Sequence, residues 1–327
     1  MDRKYSPCKI SVAPMMGYTD RHARFLYRLI SPNVLLYTEM LTARALLYGD
    51  HHHMLKFNQQ EHPIVLQLGG SEAGEMAKAA TLAARAGFDE VNINVGCPSG
   101  RVQSGAFGAC LMKEPDTVAL CVRSMKKSTD LPVTVKIRTG VDEYDSYQLL
   151  KQFVVTVAEA GCHTFVVHAR KAWLKGLSPK QNREIPLLQY ERVYRLKKDF
   201  PLLEIIINGG IRNINEVKNH LGYVDGVMLG REVIRNPWIL VELEQLLSEK
   251  SVSCNRQLIA HRYTDYIKCQ LDAGQPLHLL LRPLYGLSSG LPGARKWRQG
   301  LNRLTQEKTN IKQGLQAMTE IITVPNK

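Results

Sequence analysis

The chain has 327 residues, 44% of them hydrophobic, and its 43 Lys and Arg against 30 Asp and Glu give a formal net charge of +13 at pH 7. This length predicts one domain of about 250 residues and a smaller second one. No apolar run approaches the roughly 20 residues that span a bilayer, so no membrane association is expected. The positive charge indicates a polyanionic partner, most simply a nucleic acid.

The seven cysteines form no Cys-x-x-Cys pair, which argues against a disulfide framework or a zinc knuckle. The run His51-His52-His53 has no carboxylate or cysteine spaced to complete a metal site, and no metal is expected. The N-terminus shows no signal peptide. These features favour a reduced, cytoplasmic protein, and no obligate protein partner is inferred.

Short apolar or β-branched runs alternate with helical patterns along the first 230 residues. The predicted strands are Ile10–Pro14, Val34–Thr38, Ile64–Leu68, Glu90–Val95, Val133–Ile137, Thr164–His168, Glu204–Asn208 and Gly226–Gly230. Near-continuous apolar strands are typical of parallel sheets buried on both faces. Eight strands alternating with helices predict the α/β class and a (β/α)8 TIM barrel. A doubly wound sheet is the alternative, but no Gly-x-Gly-x-x-Gly follows the first strand.

Helical patterns cover Gly74–Ala86, Asp116–Lys127 and Ser146–Gly161, and Ile239–Leu247 completes the last barrel helix. Beyond this point the strands stop, and Gln257–Gln270 and Pro276–Leu304 are predicted to be helical. The sequence therefore predicts a barrel over residues 1–244 and a small all-helical domain over residues 245–327.

The residues where the barrel strands end are the candidate site, because in this fold those ends carry the active site. They are Pro14, Met15, Met16 and Gly17 after the first strand, Gln67, Asn94, Lys136, Arg138, His168 and Arg170 on the middle strands, and Asn208, Gly209, Gly210, Gly230 and Arg231 at the last two. Glycines after the last two strands leave backbone N–H groups open, which predicts a phosphate site.

Lys136 and His168 favour a flavin. A lysine in the middle of a barrel is costly to bury unless an anion is near, and reduced flavin is an anion. Gln67 offers an amide donor and acceptor to the polar edge of the ring, and Pro14–Gly17 offers a mostly apolar floor. A salt bridge to a barrel carboxylate is the alternative for Lys136, and a satisfied core histidine is the alternative for His168.

Cys97 lies in the corner Asn94-Val95-Gly96-Cys97-Pro98-Ser99, directly after an apolar strand. A packed core thiol is the ordinary interpretation of a free cysteine, but a strand end followed by Pro belongs to the rim. The glycine-rich stretch Gly100–Gly108 that follows is expected to move or to wrap a ligand. Cys97 is therefore the candidate reactive group.

In order along the chain, these motifs resemble the tRNA-dihydrouridine synthases. The matching segments are Ala13–Asp20, Gln67–Gly70, Asn92–Pro98, Lys136–Arg138, His168–Arg170, Asn208–Ile211 and Gly230–Arg231. Four further segments resemble the A-type subfamily: Arg101–Gly105, Gly108–Met112, His168–Leu174 and Gly176–Pro186. The chain departs from many A-type members in having Gly17-Tyr18 instead of Asp-Trp, and its C-terminal third matches only locally.

The resemblance implies an FMN barrel with a helical tRNA-binding domain, acting on uridines 20 and 20a of the D-loop. NADPH would reduce FMN, a hydride would pass from the reduced flavin to C6 of the uracil, and Cys97 would protonate C5 from the opposite side. A thiol is mostly protonated at neutral pH, which is the form that an acid needs. Asn94 would hold the uracil edge.

Two basic runs are expected to grip the RNA. One contains Arg170, Lys171, Lys175, Lys180 and Arg183, and Arg138 is a further candidate on the barrel rim. The other, within 276–312, contains Arg282, Arg295, Lys296, Arg298, Arg303, Lys308 and Lys312. Arg295 and Arg298 share a helix face at i and i+3. The target uridine must leave its stack, at a cost of a few kcal/mol that backbone contacts offset. Two rival functions stay open: an FMN-dependent dehydrogenase of a free pyrimidine, similar to the dihydroorotate dehydrogenases, and a non-catalytic tRNA-binding barrel.

Overall fold

Parallel strands form a closed barrel in the computed structural model, which describes residues 9–248, residues 254–306 and Gly314. The strands are β1 (Lys9–Val12), β2 (Leu35–Tyr37), β3 (Leu41–Thr42), β4 (Ile64–Gly69), β5 (Glu90–Val95), β6 (Val133–Arg138), β7 (Thr164–His168), β8 (Glu204–Asn208) and β9 (Gly226–Leu229). The pairing of β2 with β4, which sets Leu36 opposite Ile64, closes a ring of all strands except the short β3. Strand β3 adds to β4, with Leu41 opposite Leu68. The predicted (β/α)8 TIM barrel is confirmed.

Helices follow the strands along the chain. They are α1 (Arg21–Ile30), α2 (Ala43–Tyr48), α3 (His51–Met54), α4 (Ala73–Ala86), α5 (Gly100–Ser104), α6 (Pro115–Ser128), α7 (Tyr147–Glu159), α8 (Tyr190–Asp199), α9 (Ile214–Leu221), α10 (Arg231–Arg235), α11 (Ile239–Ser248), α12 (Arg256–Asp272), α13 (Leu277–Leu281) and α14 (Ala294–Gln306). Their starts follow local chemistry: the Glu72 carboxylate accepts from the first N–H groups of α4, and Pro115 opens α6. Across the described ranges, no helix is long and apolar enough to cross a membrane.

The barrel interior has an apolar sector and a polar one. Alternate strand residues point inward, and the apolar sector is a core cluster of Ala13, Tyr37, Val65, Val166, Ile206 and Met228. The polar sector belongs to β4, β5 and β6, where Gln67 pairs in register with Asn92, and Asn92 with Thr134. All three of these side chains are buried. The polar sector leads outward to the strand ends that carry the predicted site.

The described chain divides into two compact units. One comprises the residues up to Met16 together with Leu35–Gly230, and the other comprises Gly17–Val34 together with the residues from Arg231 onward. The second unit therefore includes α1 and starts earlier than the predicted boundary after residue 244. Within it, the Asp20 carboxylate that caps α1 also pairs with Arg282, and Glu244 accepts hydrogen bonds from Ser31 and Asn33.

The second unit is helical, as expected, but the segment 276–304 is not one continuous helix. Helix α13 ends at Leu281, a 3-10 helix follows over Arg282–Gly286, and α14 begins only at Ala294. Pro283 has no backbone N–H, and the glycines of the intervening stretch are poor helix formers, so the helix breaks there. Trp297 anchors α14, since its indole Nε1 donates to the Leu284 carbonyl at 2.8 Å and its side chain is buried.

Candidate active site

Cys97 lies just beyond the C-terminal end of β5, in a corner that Asn94 shapes. The side-chain Oδ1 of Asn94 accepts from the backbone N–H groups of Gly96 (3.1 Å) and Cys97 (2.9 Å). The Cys97 thiol is partly exposed and approaches the Ser99 hydroxyl, with Sγ 3.5 Å from Oγ. The thiol is therefore at the barrel rim and not in the packed interior, as predicted.

Three basic side chains lie near this thiol: Lys136 and Arg138 of β6, and His168 of β7. Burial and the charge of Arg138 lower the pKa of Lys136 to about 7, and negative charge on the Cys97 sulfur would oppose that shift. Burial lowers the pKa of Arg138 to about 10, again with Cys97 acting in the opposite direction. Burial, followed by the charges of Arg138 and Lys136, holds the pKa of His168 well below its usual range. Burial and mutual repulsion both disfavour the charged forms of these side chains. An anion at the barrel mouth would favour the charged forms.

Amide side chains flank the thiol and Lys136. Asn94 Nδ2 donates to Gln67 Oε1 at 2.8 Å, and Lys136 Nζ donates to Asn208 Oδ1 at 3.2 Å. Asn208 is itself oriented by donating from Nδ2 to the Met228 carbonyl at 2.8 Å. The lysine thus has a neutral partner in the barrel, and its charge remains available to a ligand. This donor set fits the anionic, amide-edged ring of a flavin.

The glycines after β8 pack too closely to tolerate side chains. Gly209 (φ +113°) and Gly210 (φ +76°) both have positive φ, and a Cβ on Gly209 would lie 2.6 Å from His168 Cδ2. The Tyr190 hydroxyl donates to the Gly209 carbonyl at 2.7 Å and so fixes the orientation of this peptide. Such a turn can present N–H groups to a phosphate.

Other predicted cofactor residues divide between the two units. Pro14 and Met15 are half-buried after β1, and Met15 packs against the core cluster of the barrel. Met16 is 64% exposed. Gly230 ends the first unit, whereas Gly17 and Arg231 belong to the second. The parts predicted for these residues in cofactor binding stay predictions.

Arg138 and Arg170, predicted to contact RNA, are both buried and hold the loop that follows β7. Arg138 donates from Nε to the Gly96 carbonyl at 3.0 Å and from Nη1 to the Asn182 carbonyl at 3.0 Å. Arg170 Nη1 donates to the carbonyls of Glu184 and Pro186. Both guanidinium groups therefore brace this loop, and Arg138 also braces the peptide before Cys97.

The structure reveals further positioning residues that sequence reasoning missed. Asn182 is fully buried, accepting from Trp173 N at 2.7 Å and donating to Trp173 O at 2.9 Å. Gln103 Nε2 donates to the carbonyls of Pro98 (2.8 Å) and Leu174 (2.7 Å), joining the loops after β5 and β7. An asparagine inside a basic, exposed segment carries no local signal of burial, so only the tertiary structure identifies it.

The predicted basic surfaces are exposed in part. Lys180 and Arg183 lie exposed on the loop after β7, whereas Lys171 is engaged by Asp145 (3.1 Å) and stacks over Trp173. On α14 of the second unit, Arg295 and Arg298 are exposed. Arg282, part of the same basic segment, is committed to Asp20, and Lys308 and Lys312 lie outside the described residues.

The stretch after Cys97, expected to be a moving loop, forms α5 and a 3-10 helix over Gly108–Lys113. Gly108 allows it to fold back, because its φ is +78° and a Cβ there would lie 2.6 Å from the Cys97 carbonyl oxygen. Gly108→Ala is expected to lower the free energy of unfolding by about 2 kcal/mol, since the left-handed conformation alone costs roughly 1–2 kcal/mol. Gly100→Ala is the control, because a Cβ at Gly100 meets nothing within 4 Å. Urea unfolding measures both, and equal midpoints would contradict the prediction.

The lowered pKa of Lys136 predicts a pH dependence of stability in flavin-free protein. Between about pH 7 and 10.5 the unfolded chain holds a proton on Lys136 that the folded chain has released. The unfolded state then binds more protons, so stability rises with pH, by at most about 1.4 kcal/mol per pH unit. Urea unfolding at pH 7, 8 and 9 should show this rise in the wild type and a smaller one in Lys136→Met. Parallel pH curves for the two proteins would show that Lys136 titrates normally.

Comparison with known proteins identifies relatives of this chain. The profile of the dihydrouridine synthase family matches residues 11–323. The tRNA-dihydrouridine(20/20a) synthase of Shewanella oneidensis is 53% identical over 303 residues, which cover 92% of this chain and 90% of that protein. The proteins of the same name from Vibrio cholerae (50% over 297 residues; 90% of each chain) and Escherichia coli K12 (49% over 296 residues; 90% and 86%) are similarly related.

Solved structures share the barrel at low sequence identity. A complex of 2-naphthoyl-CoA reductase with 2-naphthoyl-CoA has a TM-score of 0.55 at 11% identity and covers 74% of this chain and 50% of that one. Morphinone reductase in complex with tetrahydroNAD has a TM-score of 0.50 at 12% identity, with 76% and 88% covered. These likenesses concern the fold alone, whereas the family profile and the relatives confirm the resemblance inferred from the motifs. The chain belongs to the dihydrouridine synthase family.

Proposed function

We propose that this protein reduces uridine to 5,6-dihydrouridine in the D-loop of tRNA, at positions 20 and 20a, with FMN as cofactor and NADPH as reductant. The observation that carries the proposal is the proximity of the Cys97 corner to the basic side chains of β6: Asn94, which accepts from Cys97 N at 2.9 Å, stands in register with Lys136, and Arg138 donates to the Gly96 carbonyl at 3.0 Å. A protonated thiol and a flavin site on one barrel face suit the reduction of a pyrimidine C5–C6 double bond. The relatives named above support uridines 20 and 20a as the targets.

Four groups of the first unit would hold FMN. Lys136 would stabilise the negative charge of the reduced ring, Gln67 would pair with its polar edge, and the backbone of Gly209 and Gly210 would receive the phosphate. Gly230, the last residue of that unit, would add to phosphate binding, and the part predicted for Arg231 of the second unit stays a prediction. When bound and reduced by NADPH, FMN supplies the hydride that uracil C6 receives.

Cys97 would complete the reduction by passing its thiol proton to C5, and the resulting thiolate would recover a proton from solvent. Asn94 would hold the uracil edge, because its side chain lies beside the Cys97 backbone, whose N–H donates to Asn94 Oδ1. The proton donor and the side chain that holds the base would then both lie at the C-terminal end of β5. Positioned general acids of this kind contribute roughly 10²–10⁴-fold to rate.

Exposed cations of both units would bind tRNA phosphates. Lys180 and Arg183 would do so on the first unit, and Arg295 and Arg298 on the second. Phosphate contacts give sequence-independent affinity, and here they would offset the cost of extruding the target uridine. We place the reaction in the cytoplasm, in keeping with cysteines that form no disulfide framework.

The test is a reaction of the purified protein with FMN, NADPH and unmodified tRNA transcript, followed by mass spectrometry of nuclease fragments. We expect a gain of two hydrogens in the fragment with positions 20 and 20a. Free uridine and orotate serve as competing substrates, since turnover of these with no change in tRNA would indicate a free-pyrimidine dehydrogenase. A colourless protein that binds tRNA without turnover would indicate the non-catalytic alternative.

A further inference from the structure

Behind Asn94, a continuous line of hydrogen bonds runs into the barrel. Its members are buried side chains of β4, β5 and β6. The line runs from Thr134 Oγ1 to Glu90 Oε1 (2.6 Å), from Asn92 Nδ2 to Thr134 Oγ1 (2.9 Å), from Gln67 Nε2 to Asn92 Oδ1 (2.8 Å), from Asn94 Nδ2 to Gln67 Oε1 (2.8 Å) and from Cys97 N to Asn94 Oδ1 (2.9 Å). We name this the Glu90–Cys97 chain.

Every hydrogen bond in the Glu90–Cys97 chain is donated in the same direction, toward Glu90. Glu90 Oε1 accepts from the hydroxyl groups of Tyr37 (3.3 Å) and Thr134. Because Thr134 spends its single proton on Glu90, its oxygen can only accept from Asn92. Each amide then turns its N–H₂ group toward Glu90 and its oxygen toward Cys97.

This polarity matters at the outer end. A reversed Asn94 would set its N–H₂ group against the backbone N–H groups of Gly96 and Cys97, leaving buried donors unsatisfied. The orientation of the Asn94 amide is set by its hydrogen-bond partners: Gln67 on the inner side, and the N–H groups of Gly96 and Cys97 on the outer side. The inner partner, Gln67, is oriented by Asn92, which is oriented in turn by Thr134.

We propose that Asn92 and Thr134 are positioning residues for the reaction: through Gln67 and Asn94 they fix the backbone of Cys97. Neither residue touches the reacting atoms, since both lie deeper in the barrel than Gln67 and Asn94. The inference deepens the proposed function and depends on it for its kinetic part. Its structural part, the anchoring of the Cys97 peptide, is measurable without any flavin.

Four variants separate this role from general stability. Thr134→Val keeps the shape of the side chain but removes the hydroxyl that joins Asn92 to Glu90, and Thr134→Ser restores it. Thr164→Val is the matched control: Thr164 is buried on the neighbouring strand, and its Oγ1 donates to Glu204 Oε2 at 2.6 Å, outside the Glu90–Cys97 chain. Asn92→Ser breaks the chain one step nearer the site and leaves the Thr134–Glu90 bond intact.

The first measurement is hydrogen–deuterium exchange of the full-length protein, flavin-loaded and flavin-free, at the amides of Gly96 and Cys97. We expect at least tenfold faster exchange in Thr134→Val and Asn92→Ser, and wild-type exchange in Thr134→Ser and Thr164→Val. Wild-type exchange in folded Thr134→Val or Asn92→Ser would overturn the proposal. So would a rise in Thr164→Val as large as that in Thr134→Val.

The second measurement separates the half-reactions by stopped flow. In Thr134→Val, flavin oxidation by tRNA should slow at least tenfold more than flavin reduction by NADPH, since Gln67 alone links the altered residues to the flavin, and it should recover in Thr134→Ser. Should Thr134→Val fail to fold, Asn92→Ser must show the same split, and equal slowing of both half-reactions would overturn the proposal. A wild-type protein whose reduced flavin is not oxidised by tRNA would instead refute the proposed function.

Discussion

Replacement of Cys97 by alanine is expected to slow dihydrouridine formation by roughly 10²–10⁴-fold, the contribution of a positioned general acid. FMN should remain bound, because the side chains proposed to hold it, Lys136 and Gln67, make their contacts without the Cys97 side chain. Single-turnover oxidation of the reduced flavin by tRNA measures the effect, and the visible flavin spectrum measures cofactor content.

Cys110→Ala is the matched control for this variant. Cys110 follows Cys97 in the same segment, but its Sγ faces the Phe107 carbonyl at 3.1 Å, and burial raises the pKa of its thiol. It should react at the wild-type rate. Loss of flavin from Cys97→Ala would indicate a structural thiol. A covalent adduct between Cys97 and unmodified uridine would show that the thiol acts as a nucleophile.

The double variant Arg295→Ala with Arg298→Ala is expected to weaken tRNA binding and to flatten its salt dependence. Each lost phosphate contact reduces the slope of log K against log salt by about 0.7–0.9, so two lost contacts reduce it by up to about 1.8. Both side chains are exposed and project from α14, whose fold depends on the buried Trp297. Filter binding or fluorescence titration from 50 to 200 mM salt measures the slope.

Lys127→Ala with Lys198→Ala is the matched control for charge. These exposed lysines lie in the last turns of α6 and α8, which lead into the N-terminal ends of β6 and β8, opposite to the strand ends that carry Cys97. The control also removes two positive charges, so an effect of net charge alone would reduce the salt-dependence slope equally in both double variants. An unchanged slope in the arginine variant would remove α14 from the RNA interface.

Much of the barrel could be predicted from the sequence because a strand buried on both faces appears as a short apolar run. Strands β5, β7 and β8 have the predicted bounds, and the other predicted strands differ by one or two residues at one or both ends. Strand β3 was missed, since two residues show no periodicity and only the register of Leu41 with Leu68 defines it. The break before α14 was also missed, although Pro283 and the following glycines are a helix-breaking signal.

The candidate site was predicted as a set of residue types and was arranged by the fold. Gln67, Asn94, Lys136, His168 and Asn208 are at strand ends, as the pattern indicated. The direction in which the rim arginines point was not predictable. Arg138 and Arg170 donate to loop carbonyls, and no local pattern distinguishes such arginines from ones that face a ligand. Polar residues at alternate positions of β5, namely Glu90, Asn92 and Asn94, are a sequence signal of the polar barrel sector.

The sequence by itself determined the barrel, the thiol at the end of β5 and the family, because these follow from local runs and from motifs in a set order. Only the tertiary structure decided which groups these residues contact. The assignment of α1 to the second unit depends on Asp20 with Arg282 and on Ser31 with Glu244, pairs more than 200 residues apart. The anchoring of Cys97 depends on side chains from three strands. Such contacts arise from packing across the chain, and packing is set by the whole fold and not by neighbours in sequence.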